Sequence, residues 1–143
     1  TPVVVEKDIP GFIGNRIQFA MAYEAFSLLE RGVASPEAID RAVTAGFGFR
    51  LPVLGVFEKE DHSGLDVHLA IEEYLVPELD RGTEPSGILR ELVEAGHYGL
   101  KTGRGVYEWD RPADEVYAER DRDLLALLDA YEAAIDGAGR RDP

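Results

Sequence analysis

The sequence predicts an all-α fold, and three observations carry that expectation. Apolar residues recur at helical spacing along most of the chain, and the punctuation between these stretches is that of helix caps (Gly32, Ser35-Pro36-Glu37, Ser86, Gly96). Only Val3-Val4-Val5 reads as a strand. At 143 residues and 45% hydrophobic composition the chain is long enough for one sizeable core in one domain, burying about two-thirds of its unfolded surface.

Residues 1–7 end a β-branched run that has no second strand to pair with, and a lone strand is not stable. The expectation is therefore a residual last strand of a domain lying upstream. A helical domain then covers 8–110, and an extra C-terminal helix and tail cover 111–143. After the turn Asp8-Ile9-Pro10-Gly11, a long helix is expected from Phe12 to Arg31, with Ile13, Ile17, Met21, Leu28 and Leu29 on its apolar side and Gly32 as its left-handed cap. Ser35, Pro36 and Glu37 start a short helix that Gly46 stops, and Gly46 to Pro52 reads as a loop. A short helix is expected over Val53–Asp61 and a longer one over Leu65–Leu79. Ser86 caps the next, whose stripe is Ile88, Leu89, Leu92 and Val93. Gly99 to Tyr107 is too rich in glycine for a helix and reads as an ordered loop with an extended exit. Ala113 to Ile135 forms the last amphipathic helix, and Gly137 to Pro143 frays.

Charge and composition exclude several classes. With 28 acidic against 15 basic residues the net charge is −13, which repels nucleic acid and anionic lipid surfaces. No stretch approaches the ~20 apolar residues that span a bilayer. Without cysteine there is no disulfide and no thiolate metal site, and no export signal is read in residues 1–20, so a cytoplasmic protein is expected. Acids spread along the chain, with only Lys7, Lys59 and Lys101 as lysines, suit a surface kept soluble in concentrated salt. His62, His68 and His97 lack acid-base partners at recognisable spacing, and the cluster Asp61, His62, Asp66, His68 crosses a Ser63-Gly64 break, so no metal site is expected.

Asn15 is the more informative polar residue. An amide near a helix N-terminus can help that terminus stabilise an oxygen gaining negative charge, or it can simply satisfy the preceding turn. Lys101, the lysine of the glycine-rich loop, can meet a diphosphate without side-chain obstruction.

Five ordered blocks carry a family resemblance: Asp8–Arg16; Glu24-Ala25 with Leu29–Ser35; Ile39–Ala42 with Gly46–Gly48; Gly64–Asp66; and Gly99–Tyr107. Over about residues 3–109 the chain resembles the C-terminal domain of the NAD-dependent L-3-hydroxyacyl-CoA dehydrogenases. That resemblance implies a helical domain of the 6-phosphogluconate-dehydrogenase C-terminal type. It also implies an enzyme that oxidises the 3-hydroxyl of an acyl-CoA while NAD accepts hydride, as in fatty acid β-oxidation. It assigns Asn15 to the active site and Lys101 to the bound dinucleotide, and it places the nucleotide fold and a His–Glu base in an N-terminal domain, so this chain alone is expected to be inactive and to bind NAD weakly. Phe49 to Glu58 departs from the family's Gly-Pro pattern and resembles the gulonate dehydrogenase and λ-crystallin branch, which oxidises hydroxy acids without CoA. A non-catalytic all-α dimerisation module is the other reading. A homodimer is expected either way, because helix 12–31 is apolar on more than one side; it would bury at least about 1,600 Å².

Overall fold

The computed structural model describes residues 2–138, with side chains through Ala134. Its α-helices are α1 (Gly14–Glu30), α2 (Pro36–Ala42), α3 (Val56–Ser63), α4 (Leu65–Leu75), α5 (Gly87–Glu94) and α6 (Ala113–Ala138), and the all-α expectation is borne out. The caps account for their ends. Gly32 takes φ +65°, donates to Leu29 O at 3.0 Å, and is followed by Val33 N donating to Leu28 O at 3.0 Å, the paired bonds of a Schellman close. Gly96 ends α5 in the same way, with His97 N on Leu92 O at 2.8 Å. Ser35 Oγ accepts from Ala38 N at 3.3 Å at the start of α2.

Several expected bounds move, each for a local reason. Val3-Val4-Val5 forms no strand: it has no ladder partner among the described residues, and extended backbone without one has nothing to pair its N–H and C=O groups. The segment expected as a loop after α2 is wound instead into a π turn (Val43–Phe47) and a 3₁₀ turn (Gly48–Arg50), Gly46 breaking the first at φ −91°, ψ −117°. Gly48 must be glycine, since a β-carbon there would lie 2.6 Å from Val43 O. α3 starts at Val56, after Gly55 in extended geometry. α4 stops at Leu75 and gives way to a 3₁₀ turn (Val76–Glu78), because Pro77 has no N–H to continue the ladder. α6 runs on to Ala138, so Gly137 is helical. The Ile135 side chain and residues 139–143, expected to fray, lie outside the described residues.

The chain divides into two units, Thr1–Glu91 and Leu92–Pro143. Neither supplies the single sizeable core expected from length. No apolar side chain among the described residues is fully buried, and the residues that are buried are two serines, Ser27 at 6% and Ser86 at 9% exposure. The accessible surface is 11,814 Å², whereas even two separate compact units of these lengths would expose only about 8,700 Å². The apolar spread of α1 and the turn before it explains part of this: Phe12 and Ile13 at its entry and Ile17, Phe19 and Met21 on the helix all stand exposed.

A polar strap crosses the first unit. Tyr23, Glu24, Ser27 and Glu30 share one side of α1 by their i, i+4, i+7 spacing, and together they grip residues 80–88. Tyr23 Oη donates to Glu84 O at 2.9 Å, and Glu24 Oε2 accepts from Asp80 N at 2.8 Å. Glu30 Oε1 accepts from Ser86 Oγ at 2.5 Å and from Ile88 N at 2.9 Å, a tertiary cap for the start of α5. The Ser86 hydroxyl and then the Ile88 N–H hold the Glu30 carboxyl below its ordinary range. Asp80 is lowered likewise by the Gly82 N–H and the Ser27 hydroxyl. Groups whose folded pKa is depressed add stability that is present above the ordinary carboxylate range, about pH 4, and is lost as pH falls through the lowered value. Melting temperature is therefore expected to hold from neutrality to about pH 5 and to fall below about pH 4, with a shallower acid limb for Glu30→Gln. An acid limb unchanged by that substitution would remove the strap's role.

α3 and α4 meet at Gly64, φ +92°. Across that corner the His68 ring lies between two carboxylates, Nδ1 2.5 Å from Glu60 Oε2 and Nε2 3.1 Å from Glu72 Oε1, while Lys59 Nζ reaches Glu60 at 3.0 Å. His68 is thus a bridge within the hairpin. Among the described residues no group of three or more His, Asp or Glu is arranged to hold a metal ion.

Candidate functional site

The approach to α1 is built under strain. Ile9-Pro10-Gly11-Phe12 closes as a turn with Phe12 N on Ile9 O at 3.0 Å, Pro10 in its first corner position and Gly11 at φ +83° in its second, the residue choice of a type II turn. Phe12 follows at φ +49°, the only non-glycine among the described residues in the left-handed region. Such a conformation costs on the order of 1–3 kcal/mol and persists only where its surroundings require it.

Asn15 stands two residues into the first turn of α1. Ile13 at the N-cap offers no side-chain cap, and the first turn holds no acid, so the positive end of the helix is uncompensated. The Asn15 side chain is exposed and makes no hydrogen bond among the described residues, so the preceding turn does not consume it. Arg16 Nη1 reaches back to Pro10 O at 3.4 Å and fixes the turn from the other side. An amide and a helix end are left together, both able to face an oxygen that gains charge.

Lys101 belongs to the second unit, on a short 3₁₀ turn (Leu100–Thr102) between Gly99 at φ +83° and Gly103 at φ +72°. The loop is knotted by its own backbone. Gly99 N donates to Arg104 O, Gly105 N to Tyr107 O and Trp109 N to Gly103 O, each at 2.8 Å. Thr102 Oγ1 accepts from Tyr98 N at 2.9 Å and lies 3.1 Å from Gly99 O and 3.0 Å from Arg104 O. The rings of Tyr107 and Trp109 meet edge to face at 6.0 Å on the exit. Lys101 has no carboxylate partner among the described residues; its ammonium rests 5.2 Å over the Tyr98 ring.

An unneutralised ammonium on a turn flanked by glycines fits a diphosphate or ribose, which is the contact expected for NAD. Sequence reasoning missed Tyr98 and Thr102. The one signal was that each directly precedes a glycine of the loop, Tyr98 before Gly99 and Thr102 before Gly103, with Tyr98 itself outside the 3₁₀ turn.

Residues 11–109 match the family model of the 3-hydroxyacyl-CoA dehydrogenase, C-terminal domain, a span that holds both Asn15 and Lys101. The chain belongs to that family. Within the 3-hydroxyacyl-CoA dehydrogenase family, it is 42% identical over 103 residues to a probable 3-hydroxybutyryl-CoA dehydrogenase of Deinococcus radiodurans, covering 71% of this chain and 36% of that one. It is 35% identical over 127 residues to the 5-formyl-3-hydroxy-2-methylpyridine 4-carboxylate 5-dehydrogenase of Mesorhizobium japonicum, covering 88% and 41%. A crystal structure of a dehydrogenase of that same name, described as an NAD⁺-dependent dismutase, superimposes with a TM-score of 0.88 at 34% identity, over 98% of this chain and 44% of that one. The chain thus spans less than half the length of these relatives. No helix among the described residues is long and apolar enough to cross a membrane.

Proposed function

We propose that this chain is the substrate-side helical part of a longer NAD-dependent dehydrogenase that oxidises the 3-hydroxyl of an acyl-CoA. The observation that supports it is the presence of both Asn15 and Lys101, unspent by the fold, inside the family match. NAD, when bound, accepts the hydride. Asn15, with the open end of α1, orients the substrate oxygen as its C–O bond gains carbonyl character, and Lys101 meets the anionic part of the dinucleotide. Without a nucleotide-binding fold the chain by itself would bind NAD weakly.

A second reading, a small carboxylate substrate without CoA, is favoured by one observation. The structure of the pyridine-carboxylate dehydrogenase superimposes over 98% of the chain with a TM-score of 0.88 at 34% identity. NADH formation by the longer protein decides between them. Activity on 3-hydroxybutyryl-CoA supports the first reading, activity on small hydroxy or formyl carboxylates alone supports the second, and activity on neither overturns both.

The exposed faces of α1 and of α6, where Leu124, Leu125, Leu127 and Leu128 stand open, support a homodimer. Light scattering is expected to show twice the monomer mass at micromolar concentration. A monomer would leave those faces to another part of the longer protein.

A further inference from the structure

We propose that Tyr98 is a positioning residue for Lys101, its ring holding the ammonium ready for an anion without neutralising it. In a chain of 28 acidic and 15 basic residues, a lysine on an exposed turn has carboxylates in plenty to pair with. The structure pairs Lys59 with Glu60, Arg104 with Glu108 and Arg111 with Glu119, yet it sets the Lys101 ammonium over an aromatic face. The difference matters chemically. A carboxylate partner would have to be displaced by an incoming phosphate, and like charges would meet as it left. A π face attracts the cation through its quadrupole and carries no net charge, so it narrows the volume the four-carbon stem explores while the full positive charge stays available.

Thr102 ties the two side chains into one unit. Its hydroxyl takes the Tyr98 N–H at 2.9 Å, and its backbone N donates to Gly99 O at 3.0 Å, so the residue that carries the ring and the turn that carries the lysine share one set of bonds. Gly105 seals the arrangement from below: a β-carbon there would come within 2.7 Å of Gly99 Cα. With the backbone held this closely, the remaining freedom of Lys101 lies in its side-chain torsions, and the ring of Tyr98 is what limits them.

The inference rests on the proposed contact between Lys101 and the dinucleotide, and the test separates the two. In the longer protein, calorimetry is expected to show NAD affinity weakened about two- to fivefold by Tyr98→Leu and kept by Tyr98→Phe, with kcat at saturating NAD unchanged in both. Tyr98→Leu should have no further effect in the Lys101→Ala background. Without ligand, the Lys101 Hε protons should show an upfield ring-current shift that Tyr98→Leu abolishes and Tyr98→Phe retains. If Lys101→Ala weakens NAD binding and Tyr98→Leu does not, the positioning role is overturned. It is overturned too if the Tyr98→Leu loss persists in the Lys101→Ala background, which would mark a folding defect. If Lys101→Ala itself leaves NAD affinity unchanged, the cofactor contact fails and the positioning role with it.

Discussion

Asn15→Ala in the longer dehydrogenase is expected to lower turnover about 10²–10³-fold, the cost of removing one positioned donor to a developing oxyanion. Stability should hardly change, because the Asn15 side chain makes no hydrogen bond among the described residues and is exposed on the first turn of α1. The separation of those two effects is the point of the experiment. Were Asn15 a turn residue, its loss would appear in the melting temperature and spare the rate; as a substrate contact it shows the reverse. Asn15→Asp sharpens the test. A carboxylate at a helix N-terminus with no acid in its first turn favours the helix dipole, so folding should improve slightly. The same negative charge opposes a substrate oxygen that becomes more negative, so turnover should fall at least as far. A drop of less than threefold with unchanged substrate affinity in the alanine variant would remove Asn15 from the chemistry.

Gly105→Ala is expected to produce a large loss of stability for a single added methyl group. The new β-carbon would lie 2.7 Å from Gly99 Cα and 3.0 Å from Gly99 N, and backbone cannot swing aside as a side chain does. Overpacking of this kind costs roughly 1–3 kcal/mol. Because Gly99 N also bonds Arg104 O, the strain is delivered into the turn that carries Lys101, and NAD affinity of the longer protein should fall with it. Gly14→Ala is the control. Nothing lies within 4 Å of its would-be β-carbon and it begins α1, so alanine there should leave the melting temperature level or raise it. Equal melting temperatures for Gly105→Ala and the unaltered protein would show that the loop relaxes freely.

Local signals in the sequence were enough for the helices and their ends. A left-handed cap needs only a glycine at Gly32 or Gly96, and an N-cap needs only a hydroxyl at Ser35 or Ser86, so these positions are readable one turn at a time. Asn15 and Lys101 were readable because their surroundings are short-range as well: a Pro-Gly turn in one case, a run of glycines in the other. The bounds that moved did so where two local preferences compete, as at Pro77, or where a close approach winds the chain more tightly than composition suggests, as at Gly48 against Val43.

What the sequence by itself determined is therefore the helical class and the helix ends that carry a local cap, at Gly32, Ser35, Ser86 and Gly96, and it singled out Asn15 and Lys101. Only the tertiary structure decided what those helices bury. Apolar periodicity promises a hydrophobic core, but burial depends on which faces meet, and here α1 turns Tyr23, Glu24, Ser27 and Glu30 toward residues 80–88 while Ile17, Phe19 and Met21 stay open. Contacts such as Glu30 with Ser86, 56 residues apart, leave no mark in either neighbourhood, because each residue alone looks like an ordinary helix end. The same holds for Tyr98. Its aromatic ring reads as one more apolar side chain until the 3₁₀ turn brings the Lys101 ammonium over its face, and a charge–quadrupole contact exists only at that distance and orientation.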